Sequence, residues 1–252
     1  MKLTIVGCSG SYPGPDSPAS CYLLEADDET GRTWRVLLDF GNGALGALHH
    51  YVDPLTIDAV VLSHLHPDHC LDLCGFYVMR KYHPSGAQPR LPVYGPAGSD
   101  VRMAQAYDLP DGPGMKQEFD FRGYDGLLAL GPFVIEPVPV LHPVEAYGFR
   151  VNAGDASLAY TGDTAPCEAL DHLANGVDLL LAEASFRTRD ENPPEIHLTG
   201  EDAGRLAASA GVGRLVLTHV PPWFDKQDML AEAQSVWEGP AELARAGATY
   251  EL

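Results

Sequence analysis

Three histidines and an aspartate fall within six residues, His64-Leu65-His66-Pro67-Asp68-His69, directly after an apolar run (57–63) and directly before an amphipathic stretch. An isolated histidine is ordinarily solvated or hydrogen-bonded, but this density with an interleaved carboxylate is the composition of a metal site. His64 and His66 are two residues apart, so on extended backbone both imidazoles point the same way and can hold one ion. Pro67 turns the chain out of the strand, and Asp68 can begin the next helix. His69 then follows on its first turn, which aims Asp68 and His69 at a second position a few Å from the first.

A metal needs more ligands than this loop provides, and the other candidates stand at strand ends. His142 ends the run 133–141, Asp163 ends Leu-Ala-Tyr-Thr-Gly-Asp, His197 opens His-Leu-Thr-Gly, and His219 ends Leu-Val-Leu-Thr-His. His49, His50, His83 and His172 lie on helical or turn residues and read as structural or solvated. Val61-Leu-Ser-His64 is echoed by Val216-Leu-Thr-His219. The echo points to two similar half-units, each presenting a histidine at a strand end, with a shared site where two sheets meet.

Short β-branched runs at 34–40, 57–63, 133–141, 157–161, 179–184 and 214–218 alternate with helical patterns, so the class is α/β. Helices are expected near 44–51, 69–82, 99–107, 166–173, 199–210 and 228–245, the last broken at Gly239-Pro240. Residues 82–131 are rich in Gly and Pro and read as surface loop. The opening residues 1–8 read as a first strand, too short for a signal-peptide core. No stretch approaches the ~18 apolar residues needed to cross a bilayer. One domain over residues 1–252 is expected.

Sixteen basic against thirty-five acidic residues leave a net charge of −19. The mean surface repels polyanions, which argues against a long nucleic acid as partner. The small basic groups Arg80-Lys81 and Arg187/Arg189 read as solvated surface. Bound divalent ions would reverse the sign locally, so a small anionic substrate is compatible with the bulk charge. Five cysteines form an odd set without zinc-ribbon spacing, as expected of reduced thiols in the cytoplasm. Cys70 and Cys74, one helical turn apart, read as small buried hydrophobes rather than a metal pair.

These motifs resemble the metallo-β-lactamase superfamily, and within it the branch of ribonuclease Z and its small phosphodiesterase relatives. Gly7-Cys-Ser-Gly-Ser-Tyr-Pro13 is similar to the opening glycine-rich turn, Leu37-Leu-Asp-Phe-Gly41 to the first motif, and Ser63-His-Leu-His-Pro-Asp-His69 to the second. Tyr160-Thr-Gly-Asp-Thr164 resembles the bridging-aspartate motif. Ala182-Glu-Ala-Ser185 and His197-Leu-Thr199 resemble the short motifs that mark the branch. The resemblance implies a four-layer αβ/βα sandwich and two divalent ions, zinc foremost, with manganese or iron also able to occupy such donors. His64, His66 and His142 would hold the first ion, Asp68, His69 and His219 the second, and Asp163 would bridge them. Asp39 would support the histidine loop from beneath. Family members are often dimers, but no stripe in this sequence is diagnostic of one.

The implied activity is that of a metal-dependent hydrolase of phosphodiesterase type, in which a metal-bridging hydroxide attacks phosphorus. Two ions with Asp68, Asp163 and that hydroxide leave about +1 at the site, matched to a phosphodiester. His197 would lie near the leaving oxygen with Glu183 as proton relay or orienting partner. Members that process tRNA carry a long arm between the residues matching His142 and Asp163, where this chain has room only for a strand pair. Cyclic nucleotides are therefore the first class to test. Lactone or thioester cleavage, ribonuclease Z-like RNA processing and a metal-binding sensor without turnover are the alternatives.

Overall fold

The computed structural model describes residues 1–252. In chain order the first half contains β1 (Lys2–Gly7), β2 (Cys21–Asp27), β3 (Thr33–Leu38), α1 (Ala44–Leu48), β4 (Ala59–Val61), α2 (Pro67–Cys70), α3 (Leu73–Tyr82), β5 (Leu91–Tyr94), α4 (Ser99–Ala106) and β6 (Phe119–Arg122). The second contains β7 (Leu128–Leu130), β8 (Phe133–Pro139), β9 (Tyr147–Ala153), β10 (Ala156–Tyr160), α5 (Ala169–Ala174), β11 (Leu179–Glu183), α6 (Gly200–Ala210), β12 (Leu215–Thr218), α7 (Lys226–Val236), β13 (Ala241–Leu243) and β14 (Thr249–Glu251).

Two seven-stranded sheets form, ordered β14-β1-β2-β3-β4-β5-β6 and β13-β12-β11-β10-β9-β8-β7. Each changes from antiparallel to parallel pairing part-way across, at β3–β4 in one and β10–β11 in the other. The central parallel strands β4 and β11 are buried along their whole length, as continuous apolar runs covered on both faces should be. Leu24, Val36, Phe149 and Leu181 belong to the core packed between the sheets. Outside it, α1, α3 and α4 cover one sheet and α5, α6 and α7 the other. The result is the expected α/β four-layer sandwich. No helix is long and apolar enough to cross a membrane.

Local chemistry sets several boundaries. Thr199 caps α6 in a capping box with Asp202 and Gly211 ends the helix in the left-handed region, so residues 200–210 fall where the sequence pattern puts them. The helix expected at 69–82 is two. Pro67 starts α2 two residues early, and after Leu71 the chain turns so that Asp72 accepts from Leu45 N at 2.6 Å before α3 begins. The helix expected at 228–245 stops at Val236. Beyond Gly239-Pro240 the chain becomes β13, and Pro240 accepts from Leu215 N at 2.9 Å.

Residues 82–131 depart most from expectation, because besides α4 they contribute β5, β6 and β7. Strands of three or four residues carry too little periodicity to read, and their pairing is supplied by neighbours, as in the Leu91–Phe119 register. Arg80 also departs: it is buried at 4% exposure rather than solvated. Cys70 is buried, Cys74 is half-buried, and all five thiols are unpaired.

Gly41 marks where the backbone comes closest to the histidine loop: a Cβ there would meet the Asp68 carbonyl oxygen at 1.9 Å. Gly41→Ala should therefore displace the segment carrying Asp68 and destabilise the fold by about 1–3 kcal/mol, the cost of overpacking. Urea denaturation checks this, and an unchanged midpoint would contradict it.

Candidate metal centre

Four of the residues singled out from the sequence lie just past the carboxyl end of a strand, the edge at which α/β sheets place their sites, while His66 caps α2 and Asp68 and His69 lie within it. His64 follows β4, Asp163 follows β10, His219 follows β12, and His142 follows β8. Three groups of donors form. His64, His66 and His142 make the first, Asp68, His69, Asp163 and His219 the second, and Glu183, His197 and His219 a third that shares His219, and within each the ligating atoms all lie within 4.8 Å of one another. Asp163 connects the first two, with Oδ2 3.7 Å from His64 Nε2 and Oδ1 3.3 Å from His69 Nε2. His49, His50, His83 and His172 belong to none of them.

The rings are held by their outer nitrogens. His69 Nδ1 donates to Asp39 Oδ2 at 2.8 Å, and His142 Nδ1 donates to the Ile196 carbonyl at 2.9 Å. Ser63 Oγ gives its own proton to Asp39 Oδ2 and therefore accepts from His64 Nδ1 at 3.0 Å. Ser185 does the same for His219: its hydroxyl donates to the His219 carbonyl, leaving Oγ to accept from Nδ1 at 2.9 Å. These four imidazoles thus commit Nδ1 outward and turn Nε2 inward. His66 presents Nδ1 instead, 2.9 Å from His64 Nε2 and 3.3 Å from His142 Nε2.

Asp39 anchors this arrangement. It is fully buried, with a left-handed φ of 59°, and accepts from Ser63 N, Ser63 Oγ, His69 Nδ1 and Tyr160 OH at 2.6–2.8 Å. His219 also carries a positive φ, 56°, and its carbonyl oxygen lies where a Cβ on Gly10 would stand, at 2.1 Å.

Burial lowers the pKa of His64, His66 and His142 and keeps them neutral, the form that offers a lone pair. Burial also opposes charge on His69, but Asp163, Asp39 and Asp68 outweigh it and raise its pKa. Burial would raise Asp68 and Asp163 in turn, yet His69 and His219 overcome it and hold both carboxyls below their usual range.

The donors suit a divalent cation. Asp163 Oδ1 is buried and accepts no hydrogen bond, a state an adjacent cation would relieve. Tetrahedral zinc with ligands at about 2.0–2.1 Å sets its donors about 3.3 Å apart. The His66–His142, His69–Asp163 and Asp68–His219 atoms are 3.3, 3.3 and 3.1 Å apart.

Beside the second group, His197 Nδ1 donates to Glu183 Oε1 at 2.8 Å. Glu183 is fully buried and also accepts from Thr164 N and Ser185 N. Three hydrogen bonds hold the carboxylate in place, and through Oε1 it orients His197. Burial works against a charged His197, but Glu183 and then Asp163 outweigh it and raise its pKa to about 9.

Sequence reasoning did not single out Ser63, Ser185 or Tyr160 as orienting groups. Their only signal is adjacency to strand ends. It also passed over Tyr12 and Trp223, exposed aromatic side chains with ring centroids 5.4 Å apart, on the segments joined where Gly10 meets His219.

This sandwich with a histidine–aspartate centre between its sheets defines a metallo-hydrolase architecture. Residues 34–220 match the family described as the beta-lactamase superfamily domain, and the chain belongs to the metallo-β-lactamase superfamily. It is 44% identical over 257 residues to an uncharacterized protein of Mycobacterium leprae, covering all of this chain and 89% of that one. It is 31% identical over 255 residues to the probable metallo-hydrolase YhfI of Bacillus subtilis, covering both chains fully. The crystal structure of YhfI superposes with a TM-score of 0.87 over 99% of each chain. Human tRNase Z, short form, shares the fold at a TM-score of 0.76 and 20% identity, over 100% of this chain and 99% of that one.

Asp39→Ala should leave His69 Nδ1, Ser63 Oγ and Tyr160 OH without their acceptor and weaken zinc binding about 10–100-fold, the usual cost of losing such support. Competition with a chromophoric chelator measures it; unchanged affinity would contradict the supporting role.

Proposed function

We propose that this chain is a two-metal phosphodiesterase acting on a small substrate, with cyclic nucleotides the first class to test. The observation that carries the reading is the pair of donor groups joined by Asp163, with the Glu183–His197 pair beside them. His64, His66 and His142 would hold one cation, and Asp68, His69 and His219 a second, with Asp163 between. When bound, two such ions supply Lewis acidity to a phosphoryl oxygen and lower the pKa of water from 15.7 towards about 7.

The chain's own groups do the rest. Asp39, Ser63 and Ser185 engage Nδ1 of His69, His64 and His219 and so aim Nε2 of each inward. Glu183 fixes His197 through Nδ1, so the proton on Nε2 is the one available to a leaving oxygen. With its pKa near 9, His197 is cationic at neutral pH and competent as a general acid. The exposed pair Tyr12 and Trp223 supports a substrate with an aromatic base, to which it offers apolar ring surface.

A net charge of −19 and the short β9–β10 hairpin favour a small substrate over tRNA. The relation to tRNase Z supports phosphodiester chemistry over lactone cleavage. Five unpaired cysteines support a reducing, cytoplasmic setting.

Turnover of bis(p-nitrophenyl) phosphate by the zinc- or manganese-loaded protein tests the assignment. Asp68→Ala should abolish it, and His197→Ala should lower kcat by about 10²–10⁴-fold. Lactone turnover without any phosphodiester turnover would overturn the assignment. If His197 donates the proton, kcat should also fall as pH rises through about 9, where the cation is lost. His197→Ala should flatten that limb, and a limb that persists in the variant would rule out His197 as its source.

A further inference from the structure

A cleft of about 560 Å³ opens at the end of the first sheet opposite the histidine–aspartate centre. Thr33 and Arg35 at the start of β3, residues 55–58 leading into β4, and residues 89–92 leading into β5 line it. Asp39 and His64 follow the other ends of β3 and β4. At about 3.3 Å per residue, the six residues of β3 separate the two places by roughly 20 Å.

Four of the ionisable groups lining this cleft are arginines, Arg32, Arg35, Arg80 and Arg90, against the single carboxylate Asp58. This is a quarter of the sixteen basic residues in a chain of net charge −19, so their convergence runs against the bulk surface. Three of them have acidic partners: Arg32 pairs with Asp58, Arg35 with Glu25 at 3.1 Å, and Arg90 with Asp120 at 3.2 Å.

Arg80 is different. It is 4% exposed, its Nη2 donates to the Pro89 carbonyl, and its Nε is buried without an acceptor. No carboxylate lies within ion-pair distance. Glu118 acts on it from farther away, and its closest cation is Lys81 at 4.0 Å. The Phe76 ring, 5.3 Å from the guanidinium carbon, offers a weak cation–π contact. A buried guanidinium without a bound counter-charge is costly, and an anion entering the cleft would supply one.

We propose that this cleft is a second binding site, for a small molecule carrying a phosphate group, with Arg80 and Arg90 as its recognition residues. A guanidinium matches phosphate oxygens in geometry as well as charge, and the volume accommodates a mononucleotide. Prolines and the apolar side chains of Leu55, Ile57 and Leu91 line the remainder and suit the uncharged part of such a ligand. The site stands apart from the metal centre and does not rest on its assignment.

Calorimetric titration of the metal-loaded protein with adenosine 5′-monophosphate, inorganic phosphate and adenosine tests this. Arg90 has a half-exposed side chain on the rim, so Arg90→Ala should fold normally and weaken adenosine 5′-monophosphate binding at least about tenfold. Arg80→Met should weaken it further, and turnover without added ligand should stay unchanged in Arg90→Ala. Binding of inorganic phosphate as well would identify the phosphate itself as the recognised group, whereas binding of the nucleotide alone would make the whole nucleotide the ligand. The proposal is overturned if Arg90→Ala binds like wild type, if adenosine binds as well as its monophosphate, or if Asp68→Ala removes the binding that Arg90→Ala leaves intact.

Discussion

The buried carboxylate of Asp39 is the constraint on which the rest of the structure depends. It sits just past β3 of one sheet and accepts a hydrogen bond from Tyr160 of the other, so the same group joins the two halves and orients His69. Tyr22 and Thr218 make a second cross-sheet bond at 2.7 Å, and the Tyr22 and Tyr160 rings pack 4.8 Å apart. Two sheets tied at this level bring their strand ends together at one edge. The fully buried position raises the stakes of each contact, since an unmatched donor here would cost about 1–3 kcal/mol.

The geometry of the centre follows from that tie. Donors from β4 and the histidine loop belong to one sheet, and those after β8, β10 and β12 to the other. The site exists only where the halves meet. Outer hydrogen bonds from Ser63, Ser185, Asp39 and the Ile196 carbonyl decide which ring nitrogen faces inward, so the side chains are set before any ion arrives. The strained backbone at Asp39 and His219 belongs to the same device, because both residues have to project from a strand end towards a neighbour across the interface.

Much of this was readable in the residues. The loop from His64 to His69 is legible because its donors are contiguous and Pro67 marks the change from strand to helix. His142, Asp163 and His219 could be placed at strand ends, which is where they lie, but their convergence depends on how distant strands pair. Elements with strong local chemistry, such as the capping box at Thr199, fall at the expected residues. The short strands β5, β6, β7 and β13 do not announce themselves, since their stability comes from neighbours rather than from their own period. Tyr160 reads as one more apolar strand residue until the opposite sheet is in place. Arg80 reads as helix surface until β5 and the segment before it cover it.

The central claim is that the two donor groups bind a pair of ions with Asp163 between them. Anomalous-difference crystallography of the zinc-loaded protein at the zinc absorption edge measures this directly. Two peaks are expected, one bounded by His64, His66 and His142 and one by Asp68, His69 and His219, each within coordination distance of Asp163. Peaks elsewhere, or none at this edge of the sheets in fully loaded crystals, would contradict it.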